Sequence, residues 1–279
     1  MKDDITFKKD VYLIGSFGGT WRDEFIDRVP VIDFDNPEDH VQSSIAKLDY
    51  TDMNGAMNCP ASVVYLKNGK RAGTMSYCEL GGARGRGNII IAFDEDMNKD
   101  SLIKQIASYY YHDKEQLFHD LENKAFESKY LPITPNDKTA NHKPAKNIVF
   151  AGDIESMDSL IQEVAKVKNV YTMPKLSNLE NFSDKYDTIV TNFDKGKPHN
   201  KKGLFVMGLG YSLDVPVIEL EGNVIPYPPL AGLSRRILVG KDRFEHAKQY
   251  LTNLQSQHIT DEALVYYDLM KRFNQNGNQ

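Results

Sequence analysis

The sequence predicts an α/β fold: two tandem parallel-sheet domains with helices on both faces. Three observations predict it. Short apolar runs alternate with helical stretches, the pattern of parallel βαβ units. The alternation breaks at residues 127–146, a polar stretch with three prolines that reads as a linker. The same order of elements then starts again, with glycines at matching places, the mark of an internal duplication.

Taken in order, Val11-Tyr-Leu-Ile-Gly-Ser is a buried strand that runs into a glycine turn. Residues 20–29 read as a helix with Trp21, Phe25 and Ile26 on one face. Val31-Ile-Asp-Phe is a second strand. Ser62-Val-Val-Tyr-Leu and Asn88-Ile-Ile-Ile-Ala-Phe are two more, separated by a helix of small residues from Ser76 to Arg84. Residues 101–126 read as one long helix. Beyond the linker, Asn147-Ile-Val-Phe-Ala-Gly-Asp is again a strand running into a glycine, and residues 159–167 form a helix. Thr188-Ile-Val-Thr-Asn-Phe and Val215-Pro-Val-Ile-Glu-Leu are strands flanking a small-residue helix over 203–211. Gly15 thus matches Gly152 and Gly81 matches Gly208, with the second copy shorter by roughly ten residues in its middle. Helices at 243–254 and 260–273 follow; Thr260 caps the second, with Asp261 and Glu262 in its first turn. The last residues, NQNGNQ, read as a disordered tail. The expected division is therefore 1–126, a linker at 127–146, a second domain at 147–257, and a terminal helix and tail at 258–279.

Composition narrows the function. The chain has 279 residues, 41% of them hydrophobic, 26% charged and 10% aromatic, ordinary values for a packed core. Asp and Glu number 39 against 34 Lys and Arg, a net charge of −5. That leaves no basic surplus for a phosphate backbone and no polybasic stretch for a membrane surface. No leader-like segment or long apolar run is seen. With two cysteines, Cys59 and Cys78, there is neither a disulfide framework nor a four-cysteine zinc site, and a cytoplasmic setting is expected.

Several common motifs are excluded. Gly15-Ser-Phe-Gly-Gly has the place but not the spacing of a dinucleotide-binding turn, and Gly85-Arg-Gly precedes a strand. No P-loop, serine elbow or His-Glu-x-x-His occurs. His112 and His119 lie two helical turns apart, too far for a metal pair, so no metal and no organic cofactor is expected. Cys78 reads as a small buried residue.

What remains is a pair of acidic segments. In Ser76-Tyr-Cys-Glu79-Leu-Gly81-Gly82-Ala83 the small residues let a helix lie close to the sheet. Glu79 is then expected at the helix start, near the carboxyl ends of the strands, where open α/β sheets bind ligands. In Leu48-Asp49-Tyr50-Thr51-Asp52-Met53-Asn54-Gly55-Ala56, Asp49 and Asp52 share one helix face.

These segments, in this order after the Gly-Ser turn, resemble the nucleoside 2-deoxyribosyltransferases and the related deoxynucleoside 5′-monophosphate N-glycosidases. The matching pieces are Asp52-Met-Asn-Gly-Ala, Val63-Val-Tyr, Glu79-Leu-Gly-Gly-Ala and Asp94-Glu-Asp. The resemblance covers residues 10–105, with a weaker echo over 147–235. It implies two tandem flavodoxin-like or Rossmann-like domains, a small nucleoside or nucleotide and a free nucleobase as partners, and a homo-oligomer. By the same resemblance Glu79 is the nucleophile that attacks C1′ of the deoxyribose, and a carboxylate suits an oxocarbenium-like transition state. Asp52 handles the proton of the leaving base, and Tyr12 orients Glu79. Gly15, Ser16, Phe17, Gly18, Gly19, Asp49, Asn54, Gly73 and Ser76 are the matching substrate positions. The glycine turn ahead of the helix suits a 5′-phosphate. Arg84 and Arg86 are expected to face solvent.

The chain departs from that pattern in two places. Gly73 stands six residues ahead of Glu79, where some of the transferases have an aspartate that contacts the base. In the second copy Val206 takes the place of Glu79, and Leu179 and Glu180 stand where Asp52 would. The second copy is therefore expected to be inert and to wall the first site, with Pro226–Leu233 as a covering segment. The expected activity is deoxyribosyl transfer between bases; hydrolysis of a deoxynucleotide and nucleotide sensing without turnover are the alternatives.

Overall fold

The computed structural model describes residues 9–40, 45–67, 72–96, 100–133, 146–173, 176, 179–223 and 228–252. The helix expected at 260–273, the terminal tail and most of the linker lie outside these residues.

The fold is α/β, with two five-stranded parallel sheets flanked by helices. The first is built from β1 (Val11–Ile14), β2 (Phe34–Asp35), β3 (Ala61–Leu66), β4 (Ile89–Asp94) and β5 (Tyr109–Tyr111), in the order β2-β1-β3-β4-β5. The second uses β6 (Asn147–Gly152), β7 (Asn169–Thr172), β8 (Thr188–Phe193), β9 (Val217–Glu221) and β10 (Arg236–Val239), in the order β10-β9-β8-β6-β7. Read from its other edge, the second order repeats the first. In each sheet the order reverses beside the first strand of the copy, and ligands of doubly wound sheets bind at the carboxyl end of that switch point.

Strand alternation builds the layers. Val11 and Leu13 face outward onto α1 (Trp21–Arg28) and α5 (Lys114–Glu122), packing with Trp21, Phe25, Leu117 and Phe118. Tyr12 and Ile14 face inward onto α2 (Ile45–Asn58) and α3 (Thr74–Gly85). The second sheet mirrors this. Ile148 and Phe150 face α6 (Asp158–Ala165) and α10 (Arg243–Thr252), while Val149 and Ala151 join the inner core. One apolar cluster therefore runs from the inner face of one sheet to that of the other.

Its centre is the contact between α3 and α8 (Lys201–Ser212). A Cβ on Gly81 would stand 1.9 Å from the Phe205 carbonyl oxygen, and one on Gly208 would stand 1.8 Å from the Cys78 carbonyl oxygen. The two contacts are reciprocal, since Phe205 and Cys78 each lie three residues before the matching glycine. The copies thus meet about a local two-fold axis, backbone against backbone, which only glycine allows. An ion pair joins them nearby: Lys201 Nζ and the Tyr77 hydroxyl both donate to Asp100 Oδ2 at 2.6 Å. Asp100 Oδ1 in turn caps α4 (Ser101–Ile106).

The structure corrects several expectations. Residues 101–126 are not one helix: α4, β5 and α5 occupy them, each helix with its own aspartate cap, Asp100 and Asp113. The second strand is Phe34–Asp35, not Val31–Phe34. Strands β5, β7 and β10 were not expected. Glu79 is the sixth residue of α3, one turn past the start. Arg84 does not face solvent. It is buried, with its guanidinium 3.9 Å from the centre of the Tyr130 ring, because the first part of the linker crosses the end of α3. Arg86 is exposed, and Cys78 is buried as expected.

Candidate functional site

The site begins with Tyr12. Its place on β1 turns its ring toward α2 and α3, where it is fully buried. On α2, Gly55 makes room for it: a Cβ there would stand 2.5 Å from the ring and 2.8 Å from Asp35 Oδ2. Helix α2 therefore lies directly on β1, and Asp52, one turn earlier, is carried into the same interior at 2% exposure. Helix α3 brings Glu79, 6% exposed, from the other side. The Tyr12 hydroxyl donates to Glu79 Oε1 at 3.4 Å.

Two further residues complete this cluster. Asp35 pairs in register with Tyr12 across β1 and β2. After a single 3₁₀ turn at Pro37–Asp39 the chain places His40 between the two aspartates. Its Nε2 lies 2.7 Å from Asp35 Oδ1 and its Nδ1 3.2 Å from Asp52 Oδ1. Two ring nitrogens facing two carboxylates is the arrangement of an imidazolium, which donates from both. The ring also stacks near Tyr12, centroids 6.4 Å apart and planes 26° apart.

The electrostatics follow from burial and mutual charge. Burial pulls the His40 pKa down, but its bonds to Asp35 and Asp52 outweigh this and hold it up at about 9. Burial raises Asp52, and His40 opposes the rise. Glu79 is pushed up to about 8, first by burial and then by the charge of Asp52. At neutral pH Glu79 thus holds a proton while His40 is charged. Burial and the neighbouring carboxylates also raise the Tyr12 phenol, which stays a donor.

Beside this cluster, the turn after β1 wraps around Arg22. The guanidinium is almost fully buried. Nη2 donates to the Gly15 carbonyl at 2.9 Å, and Nη1 donates to the Ser16 carbonyl at 3.3 Å and to Glu38 Oε1 at 3.0 Å. Trp21 and Phe17 flank it at 4.4 and 5.4 Å. Gly18 and Gly19 have φ of 86° and 95°, a left-handed stretch that suits glycine.

Of the residues read from sequence, Tyr12, Asp52 and Glu79 come together. Gly15 and Ser16 turn their carbonyls to Arg22, and Phe17 is exposed above it. Gly73 is the residue before α3, and Ser76 is buried one turn ahead of Glu79. Asn54 has a buried Nδ2 without a hydrogen-bond partner and makes no described contact with the acidic cluster. The side chain of Asp49 lies outside the description. Sequence reasoning missed Arg22, Asp35, Glu38 and His40. The signal available was Asp35-Asn-Pro-Glu-Asp-His40, a run of ionisable groups closed into a turn by Asn-Pro. On α1, the charge of Arg22 beside Trp21 was a second.

Chemically, the cluster offers a buried carboxyl oriented by a phenol, and a second carboxyl coupled to a charged imidazole. That is the equipment for nucleophilic attack at one atom with proton delivery to another. Among the described residues no group of His, Cys, Asp and Glu could hold a metal ion, and no helix is long and apolar enough to cross a membrane.

No family model matches the chain, and no curated protein matches it. Among solved structures it has a likeness to a "Putative sugar binding protein" from Salmonella typhimurium LT2, at 11% identity and a TM-score of 0.25, over 88% of this chain and 87% of that one. At that score the likeness carries no argument about fold or function.

Proposed function

We propose that the chain cleaves the N-glycosidic bond of a deoxynucleoside or deoxynucleotide through a glutamyl-deoxyribose intermediate and transfers the sugar to another base. The observation that carries this reading is the burial of Glu79 and Asp52 on adjacent helices around the Tyr12 hydroxyl. Two carboxyl groups whose proton states are coupled are what displacement at an acetal-like carbon requires.

In the proposed reaction, ionised Glu79 attacks C1′, and a C–O bond forms as the C–N bond breaks. The departing base takes a proton from Asp52, and His40, hydrogen-bonded to Asp52, restores that proton. An incoming base then attacks C1′ and releases Glu79, while its proton passes through Asp52 back to His40. Two displacements return the sugar with retained configuration. Tyr12 donates to the glutamate and sets its orientation. In the second copy Val206 stands at the position of Glu79 and offers no nucleophile there. That copy supports the first from the α3–α8 contact and from α9 (Pro228–Ala231), which packs on the helix bearing Asp52.

One chromatographic assay tests this reading. The protein is mixed with a panel of deoxynucleosides and deoxynucleoside 5′-monophosphates plus one foreign free base. A nucleoside carrying the foreign base is the expected product, together with a deoxyribosyl adduct on Glu79 seen by mass spectrometry when no acceptor is present. Free sugar without exchange would make the protein a hydrolase. No product and no adduct with any donor would overturn the proposal.

A further inference from the structure

The turn from Gly15 to Gly19 has the form of an anion cradle. It follows β1 at the switch point of the sheet, carries two glycines of positive φ, and precedes α1. Backbone N–H groups in such a turn attract negative charge. In this molecule a side chain of the chain itself occupies it. Glu38 Oε1 accepts the Gly18 N–H at 2.9 Å and Arg22 Nη1 at 3.0 Å, so one carboxylate oxygen satisfies both donors. The rest of the Arg22 contacts go to the carbonyls of Gly15 and Ser16.

Glu38 is held there by its own turn. Its N–H donates to the Asn36 side chain at 3.1 Å, and Pro37 fixes the backbone before it. The turn is short, so its position is tied to the reacting cluster: Asp35 precedes it and His40 follows it, both bonded within that cluster. Glu38 keeps 31% of its side chain exposed. It is therefore a charged acceptor at the rim of the same site.

We propose that Glu38 is a specificity determinant: it fills the cradle in which a substrate phosphate would sit, and so selects deoxynucleosides over their 5′-monophosphates. The inference rests on the glycosyl-transfer reading for the identity of the substrate, and it settles which of the two donors that reading leaves open is used. A 5′-hydroxyl donates to the Glu38 carboxylate. A 5′-phosphate brings two negative charges against it and competes for Gly18 and Arg22, which Glu38 already holds. The glycine turn, read from sequence as favouring a phosphate, is thus turned to the opposite use.

The test has two arms. In the first, kcat/KM is measured for one deoxynucleoside and its 5′-monophosphate. The native protein is expected to prefer the nucleoside by on the order of 100-fold, the scale of a like-charge clash in a partly buried site. Both Glu38→Ala and Glu38→Gln are expected to cut that preference by roughly 10-fold or more. Glu38→Gln keeps an acceptor for Gly18 and Arg22, so a fall in the ratio there reports repulsion and not collapse of the turn. In the second arm, inorganic phosphate is titrated calorimetrically into the native protein and into Glu38→Ala; binding is expected only to the variant. Equal use of both donors by the native protein, ratios unchanged in both variants, or the same phosphate response in both proteins would overturn the proposal. If neither donor is turned over, the glycosyl-transfer reading fails, and the phosphate titration still decides whether Glu38 occupies an anion site.

Discussion

The same four positions in the two copies hold opposite chemistry. Around β1 stand Tyr12, Asp35, Asp52 and Glu79. Around β6 their counterparts are Val149, Tyr171, Leu179 and Val206. Tyr171 pairs in register with Val149 as Asp35 does with Tyr12. Glu79 and Val206 are each the sixth residue of a twelve-residue helix. The backbone frame is common to both, so it does not demand the charges. In the second copy Tyr171, Phe182 and Tyr186 fill the space, ring on ring at 5.3 and 4.8 Å. An apolar plug is the more stable solution, since a buried carboxyl loses its hydration. Buried ionisable groups at all four matched positions of one copy, where the other has apolar and aromatic side chains, favour the first copy as the functional one.

The sharpest way to break this comparison is to exchange the residues that define it. Glu79→Gln is expected to lower turnover by about 1,000-fold or more, because the amide is no nucleophile. The reciprocal Val206→Glu is expected to create no activity and to destabilise the protein by several kcal/mol, because nothing at that position accepts a buried charge. Turnover assays and denaturant melts check both. In the native protein kcat/KM is expected to rise with pH toward about 8, as Glu79 loses the proton that burial and Asp52 hold on it. A rate that falls over this range would remove Glu79 from the role of nucleophile.

The next effect runs from the second copy into the first. Gly208→Ala puts a methyl group on the Cys78 carbonyl oxygen, and Cys78 precedes Glu79 on α3. The expected cost is roughly 3 kcal/mol, with α3 displaced. Activity should fall with it even though the substitution lies in the second copy. A substitution at exposed Lys202 on the same helix should stay within about 0.5 kcal/mol of the native protein. If Gly208→Ala melts and turns over normally, the two copies do not support each other in the way the backbone contact implies.

A smaller effect separates the two aspartates from the imidazole that links them. His40→Asn is expected to lower kcat by roughly 10- to 100-fold, the usual share of one proton-transfer partner. The diagnostic readout is the alkaline limb. In the native protein the rate should decline above about 9, where His40 loses its charge, and this limb should vanish in the variant. A structural role alone would lower the rate at every pH and leave the limb in place.

How much of this was legible in the sequence divides along physical lines. Tyr12, Asp52 and Glu79 sit in segments whose elements the apolar pattern declares, and the resemblance singles them out. Gly81, expected to let α3 lie close to the sheet, instead meets α8, while Gly82 packs on Met53 and Met57 of α2. Asp35, Glu38 and His40 were not legible, because a polar run such as Asp-Asn-Pro-Glu-Asp-His looks like any solvated turn. Only the register of β2 on β1 carries it into the interior. Arg84 was misplaced for a related reason. A helix buried on all sides owes its burial to α8 and the linker, and neither is local to it. The long helix expected at 101–126 failed because β5 is three tyrosines long and half-buried. Asp100 and Asp113 were the caps that announced two separate helices, but between them so short a strand leaves no period to detect.

The smallest effect concerns stability against pH. Glu79 has its folded pKa raised to about 8 from an ordinary value of 4.5. The folded state keeps a proton that the unfolded state releases, so stability falls as pH rises from about 4.5 to about 8 and then levels off. His40, raised to about 9 from 6.5, keeps its proton in the folded state too, and adds a further fall between those values. Buried Glu219 in the second copy, raised to about 8 by burial, behaves like Glu79 but is common to native protein and variant, so it cancels in their difference. Glu79→Gln should therefore melt close to the native protein at pH 5 and a few degrees above it at pH 8. Val206→Ala, which removes only apolar contacts, should melt lower by an amount that does not change between the two pH values, about 2 kcal/mol. Thermal melts of the three proteins at both pH values make the check. A pH-dependent gain at position 79 beside a pH-independent loss at position 206 would show that the first copy gives up stability to keep an ionisable carboxyl where the second keeps packing. Parallel shifts at both positions would mean that Glu79 is no more strained than the valine that replaces it.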